Sequence, residues 1–403
     1  MKATLALLSV ALLAGVPSDL SAQSGSDLIA PAQRLVDLLA KGDFDAAVTA
    51  FNDQVKALSP PDNLKAAWAA LVAQIGAFKT QTGARQEAAG PYQFVFVECQ
   101  FEKDSIEIKL VYDSSKKITG MGFLPVYKPP VYARPEAFTE KGIKIGSGEW
   151  VLPGTLTVPK GSGLFPAIVL VHGSGRNDRN ESNGLPNRPF QDIAWGLASR
   201  GIAVLRYDKR NWVYQKKMAL ITKDFTVKDE TIDDAVAAVI LLRQTPGIDT
   251  NRIFVLGHSL GGTIAPRIAA RDNKLAGIVI LAGSTRPMGQ INIDQLNYLV
   301  SLGGPEAEAR KQTLEQVKQQ LARLNDPKLP ETELILGAPL SYWKDMDAYN
   351  PGQVAATLRT RILVLQGERD YQVTLEDLAG WKTYLSGQSN VEFKTYPKLN
   401  HLF

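Results

Sequence analysis

The chain has 403 residues, enough for two domains, with 45 Lys and Arg against 41 Asp and Glu and a formal charge of +4. So even a balance, with no block of basic residues to track a phosphate backbone, argues against a nucleic-acid partner. The single cysteine, Cys99, rules out an internal disulfide, and beyond the first residues no apolar run reaches the roughly eighteen residues that span a bilayer.

Residues 1–22 read as a secretory signal peptide. Lys2 gives the positive start, residues 5–16 form a short apolar run, and Leu20-Ser21-Ala22 is a cleavage site. The mature protein is expected to be exported, secreted or periplasmic, with no stable membrane insertion. Residues 27–125 are expected to form a small α+β domain. Helical spacing covers 28–40, with Leu35, Leu38 and Leu39 on one side, and ends at Gly42. A second amphipathic stretch covers 45–58. Pro60-Pro61 opens a third helix over 63–78, with Leu64, Trp68, Leu71 and Ile75 on one face. The period then changes to two, and 92–101, 105–112 and 118–123 read as strands. Cys99 falls in the first of these and reads as a packed thiol. This part contains no histidine and no constellation with evident chemistry.

Residues 126–136 form a Pro-rich linker, and 137–403 have the alternating pattern of an α/β domain. A hairpin at 138–145 and 150–158 leads in. Buried strands are expected at 166–171, 202–207, 253–257 and 277–281, and helices at 193–199, 229–243 and after residue 259. In the 229–243 helix, Ile232, Val236, Val239 and Ile240 are expected to face inward. The sheet should be mostly parallel with helices on both faces. Between about 289 and 351 the pattern lapses. A charged helix at 305–324 and the apolar Leu340-Ser341-Tyr342-Trp343 suggest a cap over the C-terminal edge of the sheet. A strand at 361–366, a helix at 375–386 and a strand at 391–396 complete the pattern.

The chemistry centres on Gly257-His258-Ser259-Leu260-Gly261, which follows a strand and opens a helix. That is the setting of a nucleophile elbow, a turn so tight that a side chain at Gly257 or Gly261 would clash. Ser259 is the expected nucleophile. Serine needs a base, and the chain has three histidines. His258 lies inside the elbow with its side chain diverging from Oγ, and reads as packing. His172 opens His172-Gly173-Ser174-Gly175 after a buried strand and reads as the organiser of an oxyanion loop. His401 follows the last strand and is the base by position. For its carboxylate partner, Asp370 in Gln366-Gly367-Glu368-Arg369-Asp370 stands first, with Glu368 and then Asp377 as rivals. Asp345 and Asp347 read as solvated or paired with Lys344. Oxyanion donors are expected from the N–H of Leu260 and from Ser174, with Gly173 as the alternative. No metal or other cofactor is expected.

With these residues in hand, 137–403 resembles the secreted bacterial α/β-hydrolases of the carboxylesterase type. The resemblance rests on the elbow, on His172-Gly173-Ser174-Gly175-Arg176-Asn177-Asp178, on Pro189-Phe190-Gln191-Asp192-Ile193-Ala194, on Arg206-Tyr207-Asp208-Lys209-Arg210 and on Leu399-Asn400-His401-Leu402-Phe403. It implies an α/β-hydrolase fold and a serine esterase with Ser259, Asp370 and His401 as triad. The substrate would be a small-molecule ester with a short acyl group. The amino-terminal part resembles, more loosely, the small domain of unknown function that often precedes such hydrolases. Family members usually continue beyond the histidine with a loop and a closing helix. This sequence stops two residues after His401: either it is a fragment of a longer chain or the protein lacks the helix that braces this residue. The rival readings are a serine peptidase on the same machinery and a non-catalytic binding module.

Overall fold

The computed structural model describes residues 28–89, 92–182 and 187–403. The expected signal peptide lies outside the described residues. The chain divides into two compact units, with the boundary between Lys128 and Pro129.

The first unit opens with four helices, α1 (Ile29–Lys41), α2 (Phe44–Val48), α3 (Asp53–Leu58) and α4 (Pro61–Ile75). An antiparallel sheet follows in the order β1 (Phe78–Ala89), β2 (Tyr92–Phe101), β3 (Ser105–Tyr112) and β4 (Ile118–Pro125). Alternate residues of β3 are buried, as a half-covered sheet requires. Val95, Val97, Ile106 and Ile108 meet Leu35, Leu39, Leu64 and Leu71 in one core, where Trp68 packs against the rings of Phe78, Phe101 and Phe123. Cys99 is buried there, and burial pushes its thiol up to about 12.

Two expectations fail in this unit. The stretch 45–58 is two helices, because Phe51 is drawn out of the helical path to bridge Ile118. The Asn52 N–H donates to Ile118 O at 2.9 Å, and the Asn52 side chain caps α3. The third helix stops at Ile75, where Gly76 takes φ +86°, and Phe78 begins a further, unexpected strand. β1 contains Gly83, Ala84 and Ala88 and few β-branched residues, so its own propensity for strand is weak. It is held instead by its ladder with β2.

In the second unit, β5 (Phe138–Ile145) and β6 (Leu152–Pro159) form the expected hairpin. Then come β7 (Phe165–Val171), α5 (Pro189–Ala198), β8 (Ala203–Tyr207), α6 (Arg210–Val213), α7 (Gln215–Ala219), α8 (Asp233–Gln244), β9 (Ile248–His258), α9 (Leu260–Arg271) and β10 (Gly277–Leu281). The segment expected to be a cap holds α10 (Met288–Ser301), α11 (Ala307–Ala322), the short β11 (Leu334–Ile335) and β12 (Ala338–Pro339), and α12 (Leu340–Asp347). α13 (Pro351–Ala356), β13 (Arg361–Gly367), α14 (Leu375–Tyr384) and β14 (Val391–Tyr396) follow. Among the described residues the sheet has the order β14-β13-β10-β9-β7-β8-β6-β5. The first five pairings are parallel and the last two antiparallel. This is a mostly parallel α/β sheet whose C-terminal strand ends gather the loops.

Along α8 the inward stripe is Ala235, Ala238, Val239 and Leu242, whereas Ile240 is 46% exposed. Small residues carry the close helix–sheet contact, which a search for large apolar side chains overlooks. α10 was also missed. Its polar Gln290, Asn292, Asp294, Gln295 and Asn297 mask the helical stripe, and Ile291 is its one buried residue. Trp343, Leu329, Ile335 and Leu340 give the 288–347 segment a small core of its own. No helix among the described residues is long and apolar enough to cross a membrane.

Candidate active site

The site is assembled where β7, β9, β13 and β14 end. β9 runs into Ser259 and the chain turns at once into α9. Ser259 has φ 54° and ψ −116°, a strained conformation for a residue with a Cβ. The glycines on either side permit it. A Cβ on Gly257 would run into the Gly261 carbonyl, and one on Gly261 into the Val171 carbonyl of β7. The turn leaves the Ser259 side chain on the wall of a cavity of about 290 Å³, with Leu260 and Ser174 beside it. Among the described residues, no group accepts or donates a hydrogen bond to Ser259 Oγ.

The loop after β13 carries Asp370, which is 6% exposed. Its Oδ1 accepts the N–H groups of Gln372 at 2.8 Å and Val373 at 3.0 Å. Its Oδ2 lies 2.8 Å from Nδ1 of His401. That contact assigns the His401 Nδ1 proton and leaves Nε2 as the nitrogen able to accept another. Burial lowers the pKa of His401, and the positive field of His258 adds to this, while Asp370 opposes both without cancelling them. The rivals of Asp370 are occupied or remote. Asp377 is fully buried and takes Ser284 Oγ at 2.6 Å, Arg286 Nη2 at 2.9 Å and the Thr374 N–H at the start of α14. Glu368 points to solvent.

His401 is held at two points. It is 6% exposed, gripped by Asp370 through its ring and by His258 Nε2 through its main-chain oxygen, at 2.8 Å. His258 is therefore more than packing: its other nitrogen lies 2.8 Å from Oε2 of Glu181. His172 is buried between the rings of Phe190 and Tyr207, and burial pushes its pKa down to about 4, so it stays neutral.

The loop after β7 needs one correction. Gly173 cannot serve as an oxyanion donor, because its N–H is taken by Glu181 Oε1 at 2.7 Å. The carbonyl of Gly173 is turned inward too, onto Lys209 Nζ at 2.8 Å and Asn177 Nδ2 at 3.2 Å. The N–H groups of Ser174 and Leu260 are left without a partner among the described residues, and Leu260 is the first residue of α9, where a free N–H is inherent. Asp345 does not pair with Lys344 as expected; it makes two hydrogen bonds to Arg267, at 2.6 and 3.0 Å. Asp347 remains on the cavity wall, with burial raising its pKa. Sequence reasoning missed Glu181 altogether. It stands in a polar loop without periodicity, three residues beyond the recognisable His172–Asp178 stretch, and nothing local marks it.

A mostly parallel sheet with a serine on a strand-to-helix elbow and a carboxylate–histidine pair on the following loops defines a class of hydrolytic folds. Residues 168–403 match the family described as Alpha/beta hydrolase family, and residues 32–121 match one described as Protein of unknown function (DUF3887). The chain is 38% identical over 371 residues to the esterase EstD of Thermotoga maritima, covering 91% of this chain and 86% of that protein. It is 30% identical over 148 residues to the thiohydrolase aneE of Aspergillus aculeatus, which covers 37% of this chain and 40% of that one. Among solved structures, an esterase of Pyrococcus furiosus aligns with 17% identity and a TM-score of 0.45, over 69% of this chain and 91% of that one. The chain belongs to the α/β-hydrolase family.

Proposed function

We propose that this protein hydrolyses carboxylic esters of small molecules through Ser259, His401 and Asp370. The protein is a carboxylesterase, as its 38% identity to an esterase across 91% of the chain supports. The observation that carries the assignment of residues is the 2.8 Å contact of His401 Nδ1 with Asp370, itself fixed by two backbone N–H groups. In this reading His401 Nε2 takes the Ser259 proton as Oγ attacks the ester carbonyl. The N–H groups of Leu260 and Ser174 stabilise the oxyanion. The proton passes to the leaving alcohol, and water releases the acyl group by the same route in reverse.

A short acyl group, acetyl to butyryl, suits a cavity of about 290 Å³, walled by Met288, Ile291, Met346 and Val373. An aminoacyl substrate is the second reading, because Asp347 offers a carboxylate on the same wall. Unactivated ethyl esters and aminoacyl nitroanilides separate the two. An ester leaves as an alkoxide, whereas an amide nitrogen must be protonated as it departs, so kcat/KM is expected to favour the ethyl ester by at least about tenfold. A nitroanilide cleaved faster would replace the esterase with a peptidase. We propose further that the protein is exported, on the pattern of residues 1–22. Amino-terminal sequencing of the mature protein from its native host should then begin near Gln23, and a retained Met1 would refute export by this route.

A further inference from the structure

Glu181 is a buried carboxylate that the triad leaves without a task. It is 1% exposed and its backbone has φ 55°, a left-handed conformation that a residue with a Cβ keeps only where its surroundings hold it. Its two oxygens face two different parts of the site. Oε1 accepts the Gly173 N–H at 2.7 Å and so tethers the loop after β7. Oε2 lies 2.8 Å from His258 Nδ1, a charge contact rather than a directed hydrogen bond. His258 Nε2 in turn lies 2.8 Å from the main-chain oxygen of His401. A carbonyl only accepts, so Nε2 carries a proton, and the carboxylate on the other side draws a second proton to Nδ1. Burial opposes charge on this ring most strongly, yet Glu181, with the His401 carbonyl and the Asp370 charge, outweighs it and the pKa of His258 is raised. Burial likewise works against the Glu181 charge, and His258 outweighs it, leaving that pKa lowered.

We propose that Glu181 and His258 are positioning residues, a buried charge pair that fixes His401 by its main-chain carbonyl and ties it through Gly173 to the oxyanion loop. This rests on the reading of His401 as the base. Neither residue needs to touch substrate. The pair also sets the field at the base, because the His258 and His401 ring centroids are 4.7 Å apart. The charged and titratable groups around the pair are few. His258 faces Glu181, His401 and Asp370, while Glu181 also faces His172, which burial keeps neutral. Lys209 approaches from the oxyanion loop through the Gly173 carbonyl. A positive His258 discourages protonation of resting His401. With Glu181 behind it the pair is neutral overall, so the imidazolium that His401 becomes during each half-reaction does not meet an unbalanced cation.

His258→Gln separates geometry from charge. The amide can still donate to the His401 carbonyl, but the positive charge is gone whether Glu181 stays ionised or takes up a proton. The acid limb of kcat/KM for a nitrophenyl ester should therefore move to higher pH. His258→Ala, which also removes the donor, should lower kcat by about ten- to a hundredfold with KM nearly unchanged, and His258→Gln should recover most of that loss. An unmoved acid limb in His258→Gln together with wild-type kcat in His258→Ala would overturn the proposal. Should either variant fail to fold, the full-length Ser259→Ala protein labelled with 15N-histidine gives a second measurement, simplified because the chain has three histidines. At pH 6.5, the ordinary imidazole pKa, His258 should be mostly imidazolium while His172 and His401 are mostly neutral, and a His258 no more protonated than His401 would also overturn it. Fluorophosphonate labelling of His401→Ala keeps the two levels apart. Labelling at the wild-type rate would remove His401 as the base and this inference with it. Lost labelling alongside wild-type behaviour of the His258 variants would remove this inference alone.

Discussion

Ser259→Ala is expected to lower turnover of an activated ester by on the order of 10⁶-fold and to abolish labelling by a fluorophosphonate, with the melting temperature essentially unchanged. The reasons lie in how little else the hydroxyl does. Its Oγ has no hydrogen-bond partner among the described residues, so no network is broken by its loss. The strained φ of 54° is a matter of the Cβ, which alanine retains, and the glycines that permit it are untouched. Two other serines line the cavity and could be mistaken for the nucleophile. Ser284 Oγ is engaged with Asp377 at 2.6 Å, and Ser174 stands exposed on the loop after β7. Labelling of the alanine variant at the wild-type rate would move the nucleophile to one of these, and mass spectrometry of the adduct would say which.

What made this serine legible in the sequence is steric. Only glycine fits at 257 and 261, so the elbow leaves a residue pattern that survives without any neighbour in view. The buried parallel strands were legible for a similar reason: apolar on both faces, they read as continuous runs, and β10 begins and ends where its pattern does. β1 was not legible because its stability comes from the ladder with β2, and α10 because its buried stripe is one residue wide. Within the site, placements set by position along the chain could be read, such as Asp370 and His401 on the loops after the last two strands. The roles set by contact between distant residues could not. Glu181 and His258 are 77 residues apart, and His258 and His401 are 143 apart. The His258 ring turns towards the main chain of His401 only after β9 and the final loop have been brought side by side. The Gly173 N–H was misjudged for the same reason, since its competitor Glu181 is visible only in space.

Asp370→Asn is expected to reduce kcat/KM by on the order of 10⁴-fold. His401→Ala should cost on the order of 10⁶-fold, and combining either with Ser259→Ala should add almost nothing, because the members of a catalytic triad act as one unit. The asparagine effect follows from the direction of its hydrogen bonds. Oδ1 of residue 370 must keep accepting from the Gln372 and Val373 N–H groups, which places the new amide nitrogen at Oδ2, against His401 Nδ1. That nitrogen donates, so Nδ1 must accept and the ring proton moves to Nε2, the atom that has to receive the serine proton. The pH dependence checks the assignment with a sign. Burial holds the pKa of His401 below its ordinary value of 6.5, with Asp370 as the chief opposing influence. A base works when neutral, so wild-type activity should persist as the pH falls to about 6.5 and disappear only as it falls through the lowered pKa. Removing the Asp370 charge removes the influence that raises this pKa, so the acid limb of the residual activity should move to still lower pH. Removing the His258 charge should move it the other way. Opposite displacements in the two variants would place one group as the carboxylate partner of the base and the other as the cation behind it. An unmoved limb in Asp370→Asn would mean that His401 draws its support from another carboxylate. Asp377 is already bound to Ser284 and Arg286, so Glu368, exposed on the same loop, would be the first to replace.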